Sequence, residues 1–330
     1  MIFPVNPQQL LSGSDEMKII KIIKEAKRSE FKNDDGILSS KIDDKTTLEV
    51  SQFYSEAPFP NYQGYENRFV LSKIVTENIF LNDLKNHIRF NKRFIEVGSG
   101  TCQLSLAMAI GGNSLIVAMD PTKESLKLGK EFAEKNNISN VVFLNSDIFD
   151  DEVQDAFFDV VWCSGVLHHT KDSKKGFEII SKWVKEGGLI IVGVYNKIGR
   201  LRTNFRQVIY RLLRRSDFAK KIVSFLDPYL RKNLSEEKKL AWFRDQYEHP
   251  VERKHSIDEV MNWFEENDIS FLGSIPSTNF EFKNISQMNG DKGTYFSRLF
   301  SQLAMLLSNL GGEGGLCIVV GKKINEKAIP

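Results

Sequence analysis

Residues 94–105 read FIEVGSGTCQLS, and this stretch decides the fold of the chain. An apolar run that ends beside an acidic residue indicates a buried strand, and the two glycines indicate a tight turn that leads into a helix. Glycines allow the backbone to approach a ligand closely, and the start of a helix offers free N–H groups. The stretch therefore predicts a nucleotide-type cofactor pocket at the carboxyl end of a parallel strand.

The glycine spacing separates two classes of cofactor. A dinucleotide-binding turn reads G-x-G-x-x-G, but here Gln103 stands where the third glycine belongs, and Glu96 precedes the first glycine by two residues. The pattern E-x-G-x-G resembles the first motif of class I S-adenosyl-L-methionine (SAM) methyltransferases, in which the turn contacts the amino-acid end of the cofactor. The resemblance implies a SAM site at Glu96, Gly98, Ser99, Gly100 and Gln103. A βα turn without a ligand is the alternative.

Two further predicted strands end in acids, at Asp120 and Asp147. An acid in the position of Asp120 can bind both ribose hydroxyls. NAD enzymes also place an acid there, and a carboxylate can instead stabilise the start of the following helix. The resemblance assigns the ribose to Asp120, with Pro121 beside it. It assigns the exocyclic amine of adenine to Asp147 and the face of the ring to Ile148. A solvated acidic turn is the alternative at Asp147.

Residues 157–170 read FFDVVWCSGVLHHT and form the predicted fourth strand and its exit. The stretch resembles small-molecule SAM methyltransferases, the group that includes ubiquinone and menaquinone methyltransferases. The resemblance implies cofactor contacts at Ser164 and Gly165 and places His168 and His169 where the methyl group is presented. An imidazole has a pKa suited to a general base there, and one histidine of the pair can instead be structural.

Alternating strands and helices predict an α/β fold. The resemblance implies a Rossmann-like, mostly parallel sheet of seven strands, with an antiparallel last strand that residues 316–322 fit. The expected methyltransferase domain covers 88–330, with helical insertions at 197–250 and 277–315 that form a cap on the substrate side. Residues 1–87 form an N-terminal extension that can close over the site as a lid.

The N-terminal extension has three predicted parts. Residues 17–26 show the apolar spacing of a short helix, and the polar residues 32–47 predict a loop. The prolines that follow favour an extended segment, whose aromatic residues Tyr54, Phe59 and Tyr62 are candidates for the lid. Simple anchoring of a linker is the alternative. Tyr54 and Tyr62 are candidate substrate contacts.

The first insertion is basic and helical. Its apolar residues follow helical spacing, and we expect them to pack on the core: Phe205, Val208, Ile209, Leu212 and Leu213. Residues 197–221 carry nine Lys or Arg against one acid, Asp217. Such a helix can contact an anionic membrane surface, a nucleic acid or an anionic substrate, or it can present a solvated basic face.

Residues 245–250 read DQYEHP and bring carboxylate, amide, phenol and imidazole groups together. This density predicts substrate binding by Tyr247 and His249, with either as a base or an orienting group, and Tyr195 at the end of the fifth strand joins them. A turn fixed by Pro250, in which both side chains are structural, is the alternative.

Composition sets outer limits. The chain has 330 residues, 41% of them hydrophobic, and a net charge of +2, which by itself indicates no polyanionic partner. Its three cysteines lack C-x-x-C spacing, so neither a disulfide framework nor a metal site is expected. No leader or membrane span is predicted, and a cytoplasmic location is expected. The oligomeric state stays open.

These features together predict a SAM-dependent methyltransferase that acts on a small or lipid-like molecule. An RNA-directed methyltransferase that uses the basic insertion is one alternative. An NAD-dependent oxidoreductase is another, which the missing third glycine and Glu96 oppose. A relative that keeps the fold without catalysis is the last.

Overall fold

The computed structural model describes residues 21–56, 58, 60, 62, 65, 67–281, 283–307 and 315–324. Within them, a nine-stranded sheet forms the centre of the molecule. The strands are β1 (Lys32–Asp34), β2 (Ile37–Ser39), β3 (Arg93–Val97), β4 (Leu115–Met119), β5 (Val141–Asn145), β6 (Phe158–Ser164), β7 (Val184–Tyr195), β8 (Ile269–Ile275) and β9 (Leu316–Lys323).

Helices pack on both faces of this sheet. They are α1 (Lys45–Glu56), α2 (Arg68–Thr76), α3 (Ile79–Ile88), α4 (Gln103–Ala109), α5 (Lys123–Lys135), α6 (Ser173–Trp183), α7 (Leu201–Leu212), α8 (Asp217–Leu226), α9 (Glu236–Phe243), α10 (Ile257–Glu266) and α11 (Tyr295–Leu307). A single π-helical segment, Arg244–Glu248, follows α9 directly. None of the helices in the described ranges is long and apolar enough to cross a membrane.

The strand order is β1-β2-β5-β4-β3-β6-β7-β9-β8. The five strands from β5 to β7 run parallel, and their side chains enter two apolar cores on opposite faces of the sheet. The chain leaves β3 toward β4 on one side and later returns to β6 on the other. The loops that follow β3 and β6 therefore diverge, and they leave a crevice at the carboxyl edge of the sheet.

The far end of the sheet is antiparallel. Strand β9 lies between β7 and β8 and runs antiparallel to both. The predicted fold class and its antiparallel last strand are thus confirmed.

The number of strands differs from the expected seven, because the predicted polar loop at 32–47 is wrong. Strands β1 and β2 form a hairpin there, and β2 extends the sheet by pairing in parallel with β5. Asp35 and Gly36 both have positive φ, which suits a two-residue hairpin turn. Burial of Ile37 fixes the hairpin on the core.

Two other predictions for the extension also need correction. The described part of the helix predicted at 17–26 is not α-helical, because Ile23 forms a β-bridge with Val153 and a 3₁₀ helix begins only at Glu25. Tyr54 lies on helix α1 and not in an extended segment. Phe59 lies outside the described residues.

The basic insertion is helical, as predicted, but it buries the opposite face of its first helix. Helix α7 buries Thr203, Gln207 and Tyr210. Phe205 is 66% exposed and Leu212 is 75% exposed. Hydrophobic spacing identified the helix correctly, but not the surface that it packs against.

Candidate active site

A cavity of about 550 Å³ lies at the carboxyl edge of the sheet, within the size range of small-molecule sites. Strands β3 to β7, helix α1 and the inserted helices all contribute to its wall. The predicted site residues that line it are Glu96, Gly98, Ser99, Gly100, Gln103, Asp120, Pro121, Asp147, Ile148, Ser164, Gly165, Tyr54, His169 and Tyr195.

The glycine-rich turn needs its glycines for geometric reasons. Gly98 and Gly100 have φ angles of 69° and 51°. A Cβ atom at position 98 would lie 2.1 Å from Cγ2 of Val166, so a side chain cannot be accommodated without movement. Gly165, which also has positive φ, has open space on the side where a Cβ would stand. Gly98 therefore allows the two loops to pack closely against each other, and a ligand can approach the backbone at Gly165.

Glu96 lies buried at the end of β3, beneath the turn. Its Oε2 accepts hydrogen bonds from the backbone N–H of Ser105 at 2.8 Å and from the Ser105 hydroxyl at 2.5 Å. Burial raises the pKa of Glu96 to about 8, against the effect of both hydrogen bonds. The carboxyl group is therefore mostly protonated at neutral pH, and it would ionise if a cationic group bound beside it.

Asp120, just after β4, connects its own loop to the glycine-rich turn after β3. Its Oδ2 accepts from the backbone N–H of Gly100 at 2.7 Å, and its Oδ1 accepts from that of Thr122 at 2.7 Å. Burial raises the pKa of Asp120, while these hydrogen bonds lower it. Because a carboxylate has about four acceptor positions, two remain for the hydroxyls of a ligand.

Asp147 carries an unsatisfied acceptor in the cavity wall. Its Oδ1 accepts from the backbone N–H of Phe149 at 3.1 Å. Its Oδ2 is buried and has no well-formed hydrogen bond from the described residues; burial raises the pKa of this carboxyl, and a weaker contact with the Thr47 hydroxyl lowers it. Buried polar atoms are rarely left unpaired, so this oxygen fits a ligand that donates an N–H. Ile148 provides an apolar surface next to it. The residues present thus fit a nucleoside with an exocyclic amine.

His169 faces the other half of the cavity in one defined tautomer. Its Nδ1 lies 2.6 Å from the backbone oxygen of Val251, and a carbonyl can only accept, so Nδ1 carries the proton. Nε2 is then the acceptor. Burial lowers the pKa of His169, while the Asp245 carboxylate raises it. The ring stacks on His249 with 3.6 Å between centroids.

His168 differs from its neighbour and does not line the cavity. Its side chain is fully buried behind Tyr195, with 3.9 Å between the ring centroids. Its Nδ1 accepts from the backbone N–H of Tyr195 at 3.3 Å. Burial holds its pKa well below the usual value for histidine. The prediction that both histidines line the site is therefore corrected to His169 alone.

Three predicted substrate residues are also absent from the wall. Tyr62 donates to the backbone oxygen of Thr101 at 2.6 Å, which anchors the extension to the core. Tyr247 donates to Asp227 Oδ2 at 2.6 Å within a separate apolar cluster. His249 supports His169 from behind, and burial lowers its pKa to about 2. Each side chain contacts protein where we expected it to contact substrate.

Asp245 and Gln246 line the cavity instead, and residue patterns did not single them out. Asp245 accepts from the Tyr54 hydroxyl at 2.7 Å and from the amide of Gln246 at 2.7 Å, and it lies 3.3 Å from the Tyr195 hydroxyl. The π-helical segment changes which side chains point inward, so helical spacing could not identify them. The motif at 245–250 was the available signal.

A buried cation lies behind this group. Arg200 is fully buried, and its guanidinium stands 3.7 Å from the centre of the Tyr195 ring. It pairs with Glu252 at 2.6 Å and donates to Gln246. These contacts hold Tyr195 and Gln246 in place in the cavity wall. No cluster of His, Cys, Asp or Glu in the described part of the chain could hold a metal ion.

Comparisons with known proteins agree with this geometry. A family model described as a methyltransferase domain matches residues 88–268. An uncharacterized protein of Synechococcus is 27% identical over 199 residues, which are 55% of this chain and 48% of that protein. The ubiquinone biosynthesis O-methyltransferase of Neisseria meningitidis is 28% identical over 107 residues, 32% of this chain and 45% of that protein.

The chain spans about half the length of these relatives. Among solved structures, PKMT2 from Rickettsia typhi in complex with AdoHcy has a TM-score of 0.50 at 15% identity. The match covers 72% of this chain and 50% of that one, and it shows a shared fold.

Proposed function

The chain belongs to the family of methyltransferase domains, as its sequence predicts, and from this premise we propose that it transfers a methyl group from SAM to a small or lipid-like acceptor. One observation carries the proposal. A single cavity joins the glycine-rich turn and the unpaired oxygen of Asp147 to an aromatic wall built by the insertion and helix α1. Cofactor and acceptor can thus meet in one enclosed space.

The cofactor half of the cavity has one group for each part of SAM. Asp120 would accept hydrogen bonds from the ribose hydroxyls, and Asp147 Oδ2 would accept one from the adenine amine. Ile148 would pack on the adenine ring. Glu96, with Ser99 and the backbone of the glycine turn, would receive the amino-acid end.

The acceptor half is mainly aromatic. Tyr54, Tyr195, Tyr229 and Trp242 line it, and Asp245 is its acidic group. Such walls favour a molecule with an apolar body and one polar reacting atom. This composition supports the small or lipid-like acceptor that the sequence predicts.

When bound, SAM supplies a methyl group on a positively charged sulfur. The chain's own residues align the acceptor with that group, which accounts for much of the rate. A hydroxyl acceptor held there would form its new bond to the methyl carbon as the carbon–sulfur bond breaks, which would leave S-adenosylhomocysteine. His169 Nε2 takes the hydroxyl proton, since its Nδ1–H is held by Val251.

Calorimetric titration tests the cofactor. We expect S-adenosylhomocysteine to bind and NADH not to bind. Asp147→Asn should weaken the binding of S-adenosylhomocysteine by roughly tenfold, because the ligand loses a hydrogen bond to a charged acceptor. Asp150→Asn is the matched control, since its Oδ2 is likewise buried without a described partner but does not line the cavity.

Binding of NADH alone would overturn the proposal and favour the oxidoreductase alternative. If Asp147→Asn and Asp150→Asn change the affinity for S-adenosylhomocysteine equally, Asp147 does not bind the adenine. The acceptor class is tested by incubating the enzyme with labelled SAM and phenols, quinols or RNA. Transfer to RNA alone would contradict a small-molecule acceptor.

A further inference from the structure

The two helices α7 and α8 expose apolar stripes on the outer side of the insertion. On α7 the exposed apolar residues follow helical spacing: Leu201, Phe205, Val208 and Leu212. Helix α8 repeats the pattern with Phe218, Phe225 and Leu226, of which Phe225 is 73% exposed. The opposite faces of both helices are buried in one cluster that contains Tyr210 and Val223. The apolar stripes therefore face away from the protein.

Cations surround these stripes. Helices α7 and α8 and the turn between them carry seven Lys or Arg and one acid, Asp217. Within the described residues, Arg202, Arg211, Arg214 and Arg215 are exposed and form no ion pair. The surface thus combines exposed phenylalanine and leucine side chains with unpaired positive charge.

We propose that this basic apolar face, formed by helices α7 and α8, docks on the surface of an anionic phospholipid bilayer. Interfacial helices place Phe and Leu at the acyl boundary while Lys and Arg meet anionic headgroups. The face has both chemistries side by side. Its charge is complementary to such a surface.

Two other occupants fit less well. A second copy of the chain in a symmetric contact would bring like charges together, since the same patch faces itself. A nucleic acid would match the cations, but its charged backbone offers no continuous apolar surface to cover the exposed Phe and Leu side chains of both helices.

The docking face is connected to the cavity. Tyr210 and Val223 share their cluster with Trp242, and Trp242 lines the acceptor half. A bilayer on this face therefore lies one helical layer from the acceptor site. This last step rests on the proposed function and favours an acceptor taken from the membrane, whereas docking itself does not depend on it.

Flotation with lipid vesicles tests the docking. We expect the full chain to float with equimolar phosphatidylcholine and phosphatidylglycerol but not with phosphatidylcholine alone. The triple variant Arg211→Gln, Arg214→Gln and Arg215→Gln should lower the partition coefficient by roughly 100-fold, since each cation contributes about 1 kcal/mol near an anionic surface. The triple variant Phe205→Ser, Leu212→Ser and Phe225→Ser should lower it at least roughly tenfold.

Controls remove an exposed phenylalanine or three exposed cations from other surfaces. Phe69→Ser changes a phenylalanine that is 77% exposed on α2. Lys73→Gln, Lys127→Gln and Lys135→Gln remove three exposed cations from α2 and α5. Both controls should float like the wild type. S-adenosylhomocysteine titration of every variant reports folding and cofactor binding separately from docking.

Three results would overturn the proposal. The wild type could fail to float with anionic vesicles, or the control variants could lose as much vesicle binding as the face variants. The third result is that the protein binds a single-stranded RNA oligomer and does not bind vesicles. A chain that binds vesicles but not S-adenosylhomocysteine would support docking and contradict the proposed function, so the two failures are distinguishable.

Discussion

At the scale of single residues, Glu96 makes the folded protein sensitive to pH. An unfolded chain releases this proton near pH 4.5, whereas burial keeps it in the folded protein up to a pKa of about 8. Between these values the folded state binds one proton more. Glu96 therefore contributes a stability that is fully present below pH 4.5 and is lost as pH rises to about 8, with a slope of roughly 1.4 kcal/mol per pH unit.

Glu96→Gln should remove this slope, because an amide has nearly the same shape and does not titrate. Urea unfolding of both proteins between pH 5 and pH 8 would measure it. Glu178→Gln, on the surface helix α6, is the control and should keep the wild-type slope. Equal pH dependence in wild type and Glu96→Gln would show that Glu96 is already ionised.

His169 predicts a second pH dependence. Burial lowers its pKa, so the ring stays neutral and able to accept a proton below the usual pH for histidine. The Asp245 carboxylate opposes that effect. Asp245→Asn should therefore move the acid limb of kcat at saturating SAM to lower pH, while Asp217→Asn should leave it in place. If the acid limb of kcat moves to higher pH or stays in place in Asp245→Asn, His169 is not the base.

His169→Gln tests the same group by removal. General bases contribute about a hundredfold to ten-thousandfold, and we expect a loss of kcat in that range with unchanged affinity for S-adenosylhomocysteine. His87→Gln, at an exposed position on α3, is the control. A small loss would mean that alignment alone drives transfer.

Residue patterns predicted the cofactor half of the site better than the acceptor half. Glu96, Asp120 and Asp147 stand at or just after strand ends, and parallel strands direct their carboxyl ends to one edge of a sheet. Acceptor residues depend on how inserted helices pack, which local sequence does not determine. His168 and His169 show the difference, since their rings lie only 4.2 Å apart and yet His169 lines the cavity while His168 does not.

At the scale of elements, the π-helical segment depends on buried Arg200. Arg200→Met would remove the main ionic partner of the partly buried Glu252, which would keep only Lys254 at 3.4 Å and a hydrogen bond from Gln207. We therefore expect a loss of up to about 3 kcal/mol in the free energy of unfolding. The double variant Arg200→Met and Glu252→Gln should recover part of this loss. Urea unfolding measures both. A double variant less stable than the single one would show that Arg200 acts mainly through Tyr195 and Gln246.

The N-terminal hairpin shows a signal that hydrophobic spacing misses. Asp-Gly is a strong indicator of a two-residue hairpin turn, and it is present at 35–36. Strand β1 is exposed along its whole length, and β2 has only three residues. Neither strand therefore shows the alternation that predicts a strand, and pairing with β5 supplies what local sequence does not.

At the scale of the whole molecule, the extension and the insertion close over the cavity together. Tyr54 donates to Asp245 across 191 positions of sequence, and Arg244 pairs with Glu56 at 2.9 Å. The Phe53 ring lies 5.1 Å from that of His249. Helix α1 and the π-helical segment thus form one wall from two distant parts of the chain.

Because both parts line the cavity, a bound ligand should stabilise them as a unit. We expect S-adenosylhomocysteine to slow amide hydrogen exchange in α1 and in Arg244–Glu248, since each is held by the other. Tyr54→Phe removes the hydroxyl contact with Asp245 and should weaken protection in both segments, although it changes only one. Tyr295→Phe, at an exposed position near the start of α11, should leave protection unchanged. Protection lost in α1 alone would show that the two segments open independently, and the cavity would then have two separate covers.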